Sequence, residues 1–187
     1  MKFNLHSRVI LAPLLALLLL AGCSFSAAAR SSRFVQRDHL TPEEIEHVRD
    51  AQELDLRTAV FIKAAERRML ALAGGAPAAK SKQARKDAEE WGELPASTRA
   101  ELLSDVAQIL DEASTNIDDV SARNPSSSLL AKSLRKLAAA CTHFLTQLKP
   151  MRDSVAGGPE REALEQAIEN AQAIIDAANK LPASAKE

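Results

Sequence analysis

Aromatic residues and glycine are scarce in this sequence, and tyrosine is absent. Aromatics make up 3% of the 187 residues, with no Tyr and one Trp, and there are 6 Gly. Sheets draw on aromatic and β-branched side chains, whereas the recurring Ala, Leu, Glu, Lys and Arg favour helices. The composition therefore predicts an all-α protein.

An excess of charge of either sign is also lacking. The chain has 24 Lys and Arg against 25 Asp and Glu, so its formal net charge is −1. A nucleic-acid-binding domain needs a basic excess to neutralise phosphates. We therefore expect no nucleic acid as partner, and the length suits one domain with its own core.

The N-terminus has a basic start followed by an apolar run. Lys2 and Arg8 precede a stretch from Val9 to Ala21 that is interrupted only by Pro13. A run of about a dozen residues is short for a membrane-spanning helix, which needs about 20. It is typical of the core of a signal peptide.

The apolar run ends in the pattern Leu20, Ala21, Gly22, Cys23. This pattern resembles the lipobox of bacterial lipoproteins, in which signal peptidase II recognises an aliphatic and two small residues before a cysteine that receives diacylglycerol. The resemblance implies that residues 1–22 are a cleaved signal peptide and that Cys23 carries the lipid. It implies an address at a membrane of the cell envelope, and it implies no activity.

The residues after the cysteine leave two alternatives open. Ser24, in place of Asp, implies the outer membrane where the host has one, although the inner membrane stays an alternative. Cleavage by signal peptidase I after Ala29 would instead give an ordinary secreted protein. Residues 23–38 are mostly small, polar or basic. They predict a flexible tether before a helical domain at 39–187, with basic residues that are either solvated or in contact with anionic headgroups.

The first helix of that domain has clear boundaries in the sequence. Thr41 followed by Pro42 and Glu44 is a capping box with proline at the first helical position. The helix is expected to run to Ala73, where Gly74 and later Pro77 stop it.

Three further helices follow a long connection at 74–96, whose middle can form a short helix. A capping box at Thr98 opens the second helix, and Pro125 ends it. Serines precede the third helix, and Pro159 marks the start of the fourth. Their apolar stripes, at steps of three and four, are Leu103, Val106, Leu110, Ala113, Ile117, Val120; Leu130, Leu134, Leu137, Cys141, Phe144, Leu148; and Leu164, Ala167, Ala171, Ile174, Ala178, Leu181.

Four amphipathic helices must bury their stripes against one another. The pattern predicts an antiparallel four-helix bundle of up-down type, with one long connection between helices 1 and 2. Cys141 lies within a stripe and is expected to be a buried, unpaired core residue.

Signatures of catalysis and cofactor binding are missing. The sequence has no Gly-rich phosphate loop, no Cys-x-x-Cys-His and no His-Glu-x-x-His. We therefore name no catalytic residue and predict no cofactor or metal. Glu44 and His47 form one Glu-x-x-His pair, which could ligate a metal, but the capping role of Glu44 is the favoured interpretation.

Two sets of residues on the first helix are candidates for binding. Asp55, Thr58 and Glu66 lie among apolar neighbours. They form either a polar ligand site or, as we favour, the edge of the stripe or pairs with nearby Lys and Arg. Leu54, Phe61 and Leu72 form a second apolar line. We expect Trp91 of the long connection to cover this line; left uncovered, it would be a partner-binding surface.

The sequence does not determine an activity. One hypothesis is a membrane-tethered module that binds an unknown protein or another envelope component; the alternative is an enzymatic or ligand-binding bundle with a polar site in its core. Three or more polar groups converging in an enclosed pocket would favour the second, and a sealed apolar core would favour the first.

Overall fold

The computed structural model of the chain describes residues 38–75, 82–155 and 157–182. They belong to one compact unit that begins at Asp38. The secondary structure in these ranges is helical and includes no strand, so the all-α prediction is confirmed. The helices are α1 (Pro42–Asp50), α2 (Leu54–Leu72), α3 (Lys82–Trp91), α4 (Arg99–Arg123), α5 (Ser128–Met151) and α6 (Gly158–Asn179).

The predicted first helix is divided in two. We expected one helix from Pro42 to Ala73, whereas α1 ends at Asp50 and α2 begins at Leu54. No proline or glycine lies at the break, so the local sequence contained no signal for it. α1 packs on α2, and one continuous helix could not make this contact.

Side-chain caps start the helices where the sequence predicts. The Thr41 hydroxyl accepts a hydrogen bond from the backbone of Glu44, whose carboxylate accepts from the Thr41 N–H at 2.9 Å. Thr98 and Glu101 form the same capping box at the start of α4. The Ser127 side chain caps α5. These bonds satisfy N–H groups that the first turn of a helix leaves unpaired.

The prolines at the two ends of the α5–α6 connection occupy different positions in their helices. α5 continues through Pro150 to Met151, so this proline does not stop the helix before it. Pro159 lies in the first turn of α6, where its missing N–H has no helical partner to lose. Gly157 precedes it with φ of 139°, a conformation that favours glycine.

The four long helices form a helical bundle. α2 packs against α4 and α5, and α6 also packs against α4 and α5, while α4 and α5 contact each other less. Arg99 and Glu160, at the starts of α4 and α6, pair at 2.6 Å. Lys132 and Asp55, near the starts of α5 and α2, pair at 2.5 Å. α4 and α6 thus start at a common end, as do α2 and α5.

The predicted apolar stripes of α4, α5 and α6 face the core. Members near the helix ends, such as Leu130 and Ala178, are half-buried. Cys141 is fully buried, as predicted. The buried members of the three stripes are Leu103, Val106, Leu110, Ala113, Ile117, Leu137, Cys141, Phe144, Leu148, Leu164, Ala167, Ala171 and Ile174.

Candidate functional site

Four charged side chains are buried together where α1 meets α2 and α4. We call this group the Glu44 cluster: Glu44 of α1, Arg67 and Arg68 of α2, and Asp105 of α4, each no more than 4% exposed. Charged side chains are almost never fully buried unless they are paired. Each charge of the cluster is therefore expected to have a partner.

Glu44 lies at the centre of the cluster and has two tasks. One carboxylate oxygen, Oε2, accepts from the Thr41 N–H and completes the N-terminal cap of α1. The other, Oε1, accepts from Arg67 Nε at 3.0 Å and from Arg68 Nη1. A capping residue thus also serves as the counter-ion of two arginines.

The remaining donors of Arg67 reach the segment before α4. Its Nη2 donates to the carbonyl oxygens of Gly92 at 3.2 Å and Glu93 at 2.6 Å. Because one guanidinium carries several donors in a fixed plane, it can bind α1 and this connection at the same time.

Arg68 connects the cluster to the residues before α1. Its Nη2 donates to the carbonyl oxygen of His39 at 2.6 Å, and its Nη1 also contacts the carbonyl oxygen of Ala64 at 3.3 Å. Its Nε lies 3.6 Å from Asp105 Oδ2, an ion-pair distance. The two arginines therefore hold together α1, α2, α4 and the segments that flank them.

His39 adds an ion pair at the surface of the cluster. Its Nε2 lies 2.6 Å from Oε2 of Glu112 on α4. The hydrogen bond with Glu112 raises the pKa of His39 above its ordinary value, against the opposing effect of burial, and the nearby charges of Asp38 and Asp105 act in the same direction as Glu112.

His47 and Trp91 form a stacked pair next to the cluster. Their ring centroids are 4.1 Å apart with an interplanar angle of 29°, and His47 Nε2 lies 2.9 Å from the carbonyl oxygen of Glu90. Trp91 is half-buried. It thus packs on the segment predicted as the first helix, but its partner there is His47 of α1.

The second apolar line of the first helix lies in the core. Leu54, Phe61 and Leu72 are 6%, 1% and 9% exposed and belong to the main hydrophobic cluster. The alternative that they form an exposed partner surface is therefore wrong. The helix α2 is buried on more than one side because it contacts α1, α4 and α5, which the stripe pattern alone did not reveal.

The polar residues Asp55, Thr58 and Glu66 do not converge on a ligand site. Asp55 pairs with Lys132, and this hydrogen bond lowers the pKa of the Asp55 carboxyl. The Thr58 hydroxyl donates to the backbone of Leu54 at 2.8 Å, and Glu66 is exposed. Each residue thus has its own local environment. The expected pairing with a basic residue is confirmed for Asp55, whereas Thr58 is buried and does not lie at the edge of the stripe.

The Glu-x-x-His pair does not have the geometry of a metal site. Glu44 accepts hydrogen bonds from two guanidinium groups, and His47 stacks on Trp91. A metal ion at Glu44 would have to displace both arginines. In the described ranges, His, Cys, Asp and Glu side chains form no group of three or more that could hold a metal ion.

Three surface grooves among the described residues lie apart from the Glu44 cluster. The first, of about 520 Å³, runs between α5 and α6 and includes the ion pair of Arg152 and Glu165 at 2.5 Å. The second, of about 350 Å³, lies between the end of α4 and the start of α5. The third, of about 240 Å³, lies between α2 and α5 next to Glu66 and His143. None is lined by a member of the cluster, so the buried charges do not face these grooves.

Sequence reasoning identified Glu44 as a cap, with a metal ligand as the alternative, and missed both arginines. A signal for Arg68 was present, since it lies four positions after Ala64 and four before Leu72, both of which are buried. A charged residue in register with an apolar stripe indicates a buried partner elsewhere in the chain. The identity of that partner depends on the break between α1 and α2.

The predicted lipidation and peptidase-recognition residues, Cys23 with Leu20, Ala21 and Gly22, lie outside the described residues. Among the described helices, none is long and apolar enough to span a membrane. Comparisons with protein families, with curated proteins and with solved structures found no match to this chain.

Proposed function

We propose that this protein is a lipoprotein of the bacterial cell envelope, tethered to a membrane through Cys23, whose helical domain acts as a binding or structural module. The observation that carries the anchor is the pattern Leu20, Ala21, Gly22, Cys23 directly after an apolar run of signal-peptide length. Its position in the sequence makes the match specific, because the same four residues elsewhere would have no such meaning.

The buried polar groups support a module rather than an enzyme. Glu44, Arg67 and Arg68 converge, but they bind one another and backbone carbonyl groups. An active site needs polar groups that are directed at a space where substrate can bind. A closed ion-pair cluster is the arrangement expected of a structural contact.

For the fold we propose a four-helix bundle of up-down type, made of α2, α4, α5 and α6. Their directions alternate along the chain, as the shared ends of α4 with α6 and of α2 with α5 suggest. Consecutive helices α4 and α5 lie diagonally in this proposal, because both pack mainly on α2 and α6.

The anchor is tested by mass spectrometry of the protein purified from the membranes of an expressing bacterium. We expect an N-terminal Cys23 that carries diacylglycerol, and we expect Cys23→Ala to accumulate as an unprocessed, unlipidated precursor. Cys141→Ala is the matched control, since it removes the other cysteine and should leave lipidation unchanged. An unmodified N-terminus at Arg30 in the wild-type protein would instead establish the secreted alternative.

A further inference from the structure

The segment from Asp38 to Asp50, which we call the strap, is set apart from the bundle. It comprises α1 and the residues before it, and the break at 51–53 separates it from α2. α1 has its own capping box at Thr41, and the helix on which it mainly packs is α2. The strap is therefore a short helical element that docks on one side of a separate set of long helices.

A carboxylate between two guanidinium groups holds the strap in place. Glu44 is 0% exposed and accepts from Arg67 at 3.0 Å and from Arg68. Its neighbours Ile45 and Val48 are partly buried against the hydrophobic core. The docking chemistry is thus one carboxylate in the first turn of a helix, followed by apolar residues one and four positions later.

The balance of charge solvation allows this contact to open. Burial of the ion pair removes three charges from water, and their mutual attraction roughly offsets that cost. When the strap lifts as a unit, Glu44 returns to water, while Arg67 keeps the carbonyl oxygens of Gly92 and Glu93. Arg68 keeps Asp105 at 3.6 Å, so neither guanidinium is left without a partner. If Glu44 alone lost its charge, the two buried guanidinium groups would lose that counter-ion. This loss favours the state in which the strap is lifted.

We propose that Arg67 and Arg68 form a carboxylate-binding site on α2, which the strap occupies within the chain and which an acidic amphipathic helix of a partner protein occupies in its place. A helix is favoured over a small anion because the strap offers apolar contacts beside the carboxylate. This inference rests on the proposed role as a binding module, and it does not depend on the lipid anchor.

The first test is hydrogen exchange on the full chain and on Glu44→Gln. We expect exchange of the α1 amides to accelerate about tenfold or more in Glu44→Gln, with protection of α4, α5 and α6 unchanged. The matched control is Glu46→Gln, since Glu46 is exposed and pairs with Arg49 of the same helix. It should leave exchange in α1 as in the wild type.

Trp91 provides an independent signal for the same opening. It is the single Trp of the chain and stacks on His47 of the strap. In Glu44→Gln we expect easier quenching by acrylamide than in Glu46→Gln or the wild type, because the stacked partner has moved away.

The second test supplies the strap as a separate molecule. A synthetic peptide of residues 38–51 should bind the Glu44→Gln chain. Its affinity for the wild-type chain should be lower by a factor of about ten or more, because there the strap already occupies the site. The same peptide with Gln at position 44 should not bind either chain. Peptide binding that is unaffected by this change would overturn the carboxylate site.

Two further outcomes would contradict the proposal. One is exchange in α1 of Glu44→Gln that stays as slow as in Glu46→Gln. The other combines two results: Glu44→Gln unfolds globally, and the α1 amides of the wild type exchange only in the same unfolding event as the amides of α4. Failure of the peptide tests leaves the anchor untouched, whereas an unlipidated N-terminus leaves the peptide tests unaffected, so the two proposals fail separately.

Discussion

Ser133 is fully buried on α5, and its hydroxyl oxygen has no hydrogen-bond partner among the described residues. Thr58, also buried, differs because its hydroxyl donates to the carbonyl oxygen of Leu54. A buried hydroxyl without a partner loses its hydration and gains nothing in exchange. At the scale of single residues, the unpaired hydroxyl of Ser133 thus lowers the free energy of unfolding.

Ser133→Ala is expected to raise the free energy of unfolding by about 1 kcal/mol, because it removes the unpaired hydroxyl and leaves only a small change in volume. Chemical denaturation followed by circular dichroism measures the change. Ser121→Ala on α4 is the matched control, since Ser121 is exposed and the substitution reports the gain in helix propensity alone. An equal gain in both variants would show that the Ser133 hydroxyl has no cost.

The thiol of Cys141 should be inert in the folded protein. The side chain is 0% exposed, and burial raises its pKa to about 12. Because the thiolate is the reactive form and reagents cannot reach it, we expect a bulky thiol reagent to react at the rate of transient unfolding. Absorbance of the released chromophore, with and without denaturant, measures this rate. Rapid stoichiometric reaction in the native state would contradict the core placement.

At the scale of elements, helix starts follow local rules, whereas helix continuity does not. α1 and α4 begin at capping boxes that can be recognised in the sequence. The break between α1 and α2 has no such signal, and Glu53 at the start of α2 makes no side-chain cap. A side chain of α2 bonds to this turn instead: Arg57 Nε donates to the carbonyl oxygen of Ala51 at 3.0 Å.

The pair of His39 and Glu112 predicts a pH dependence for the free energy of unfolding. The pKa of His39 is higher in the folded state than its ordinary value of 6.5, so the charged form is stabilised by folding. This contribution is complete below about pH 6.5 and is lost as the pH rises through the folded pKa. The pair is partly exposed, so we expect a loss of no more than about 1 kcal/mol.

Chemical denaturation at a series of pH values above and below 6.5 measures this effect. We expect the stability difference between the wild type and His39→Gln to shrink as the pH rises, and Glu112→Gln to show the same trend. The comparison isolates His39, because the other histidines are present in both proteins. A difference that is independent of pH would mean that the ion pair does not form in solution.

At the scale of the whole molecule, the long helices share one hydrophobic core. Leu137 of α5, Leu110 of α4 and Leu164 of α6 are each 0% exposed and belong to the same cluster as Phe61 of α2. Elements that share a core of this kind usually unfold together. The strap, which is held mainly by α2 and by the Glu44 cluster, is more readily separated from that transition than the long helices are.

Leu137→Ala is expected to destabilise the whole bundle by about 2 to 5 kcal/mol, because it loses buried methyl groups and leaves a cavity. Thermal denaturation followed by circular dichroism should show one transition at a lower temperature. The control is Leu56→Ala, which makes the same chemical change at a leucine that is 54% exposed. Similar losses in both variants would contradict a common core around Leu137.

The sequence by itself determined the features that depend on neighbouring residues. The scarcity of aromatics predicted an all-α protein, the capping boxes at Thr41 and Thr98 predicted two helix starts, and the three-four spacing predicted the buried faces of α4, α5 and α6. These properties follow from backbone hydrogen bonding and helical periodicity, which act over a few positions along the chain.

Only the tertiary structure decided which distant residues meet. Glu44 lies 23 and 24 positions from Arg67 and Arg68, and no local rule pairs them. Their contact requires α1 to turn back on α2, and the cost of leaving buried charges unpaired then makes that arrangement specific. The burial of Leu54 and Leu72 was likewise decided by packing, since a helix that contacts several others buries more than one stripe.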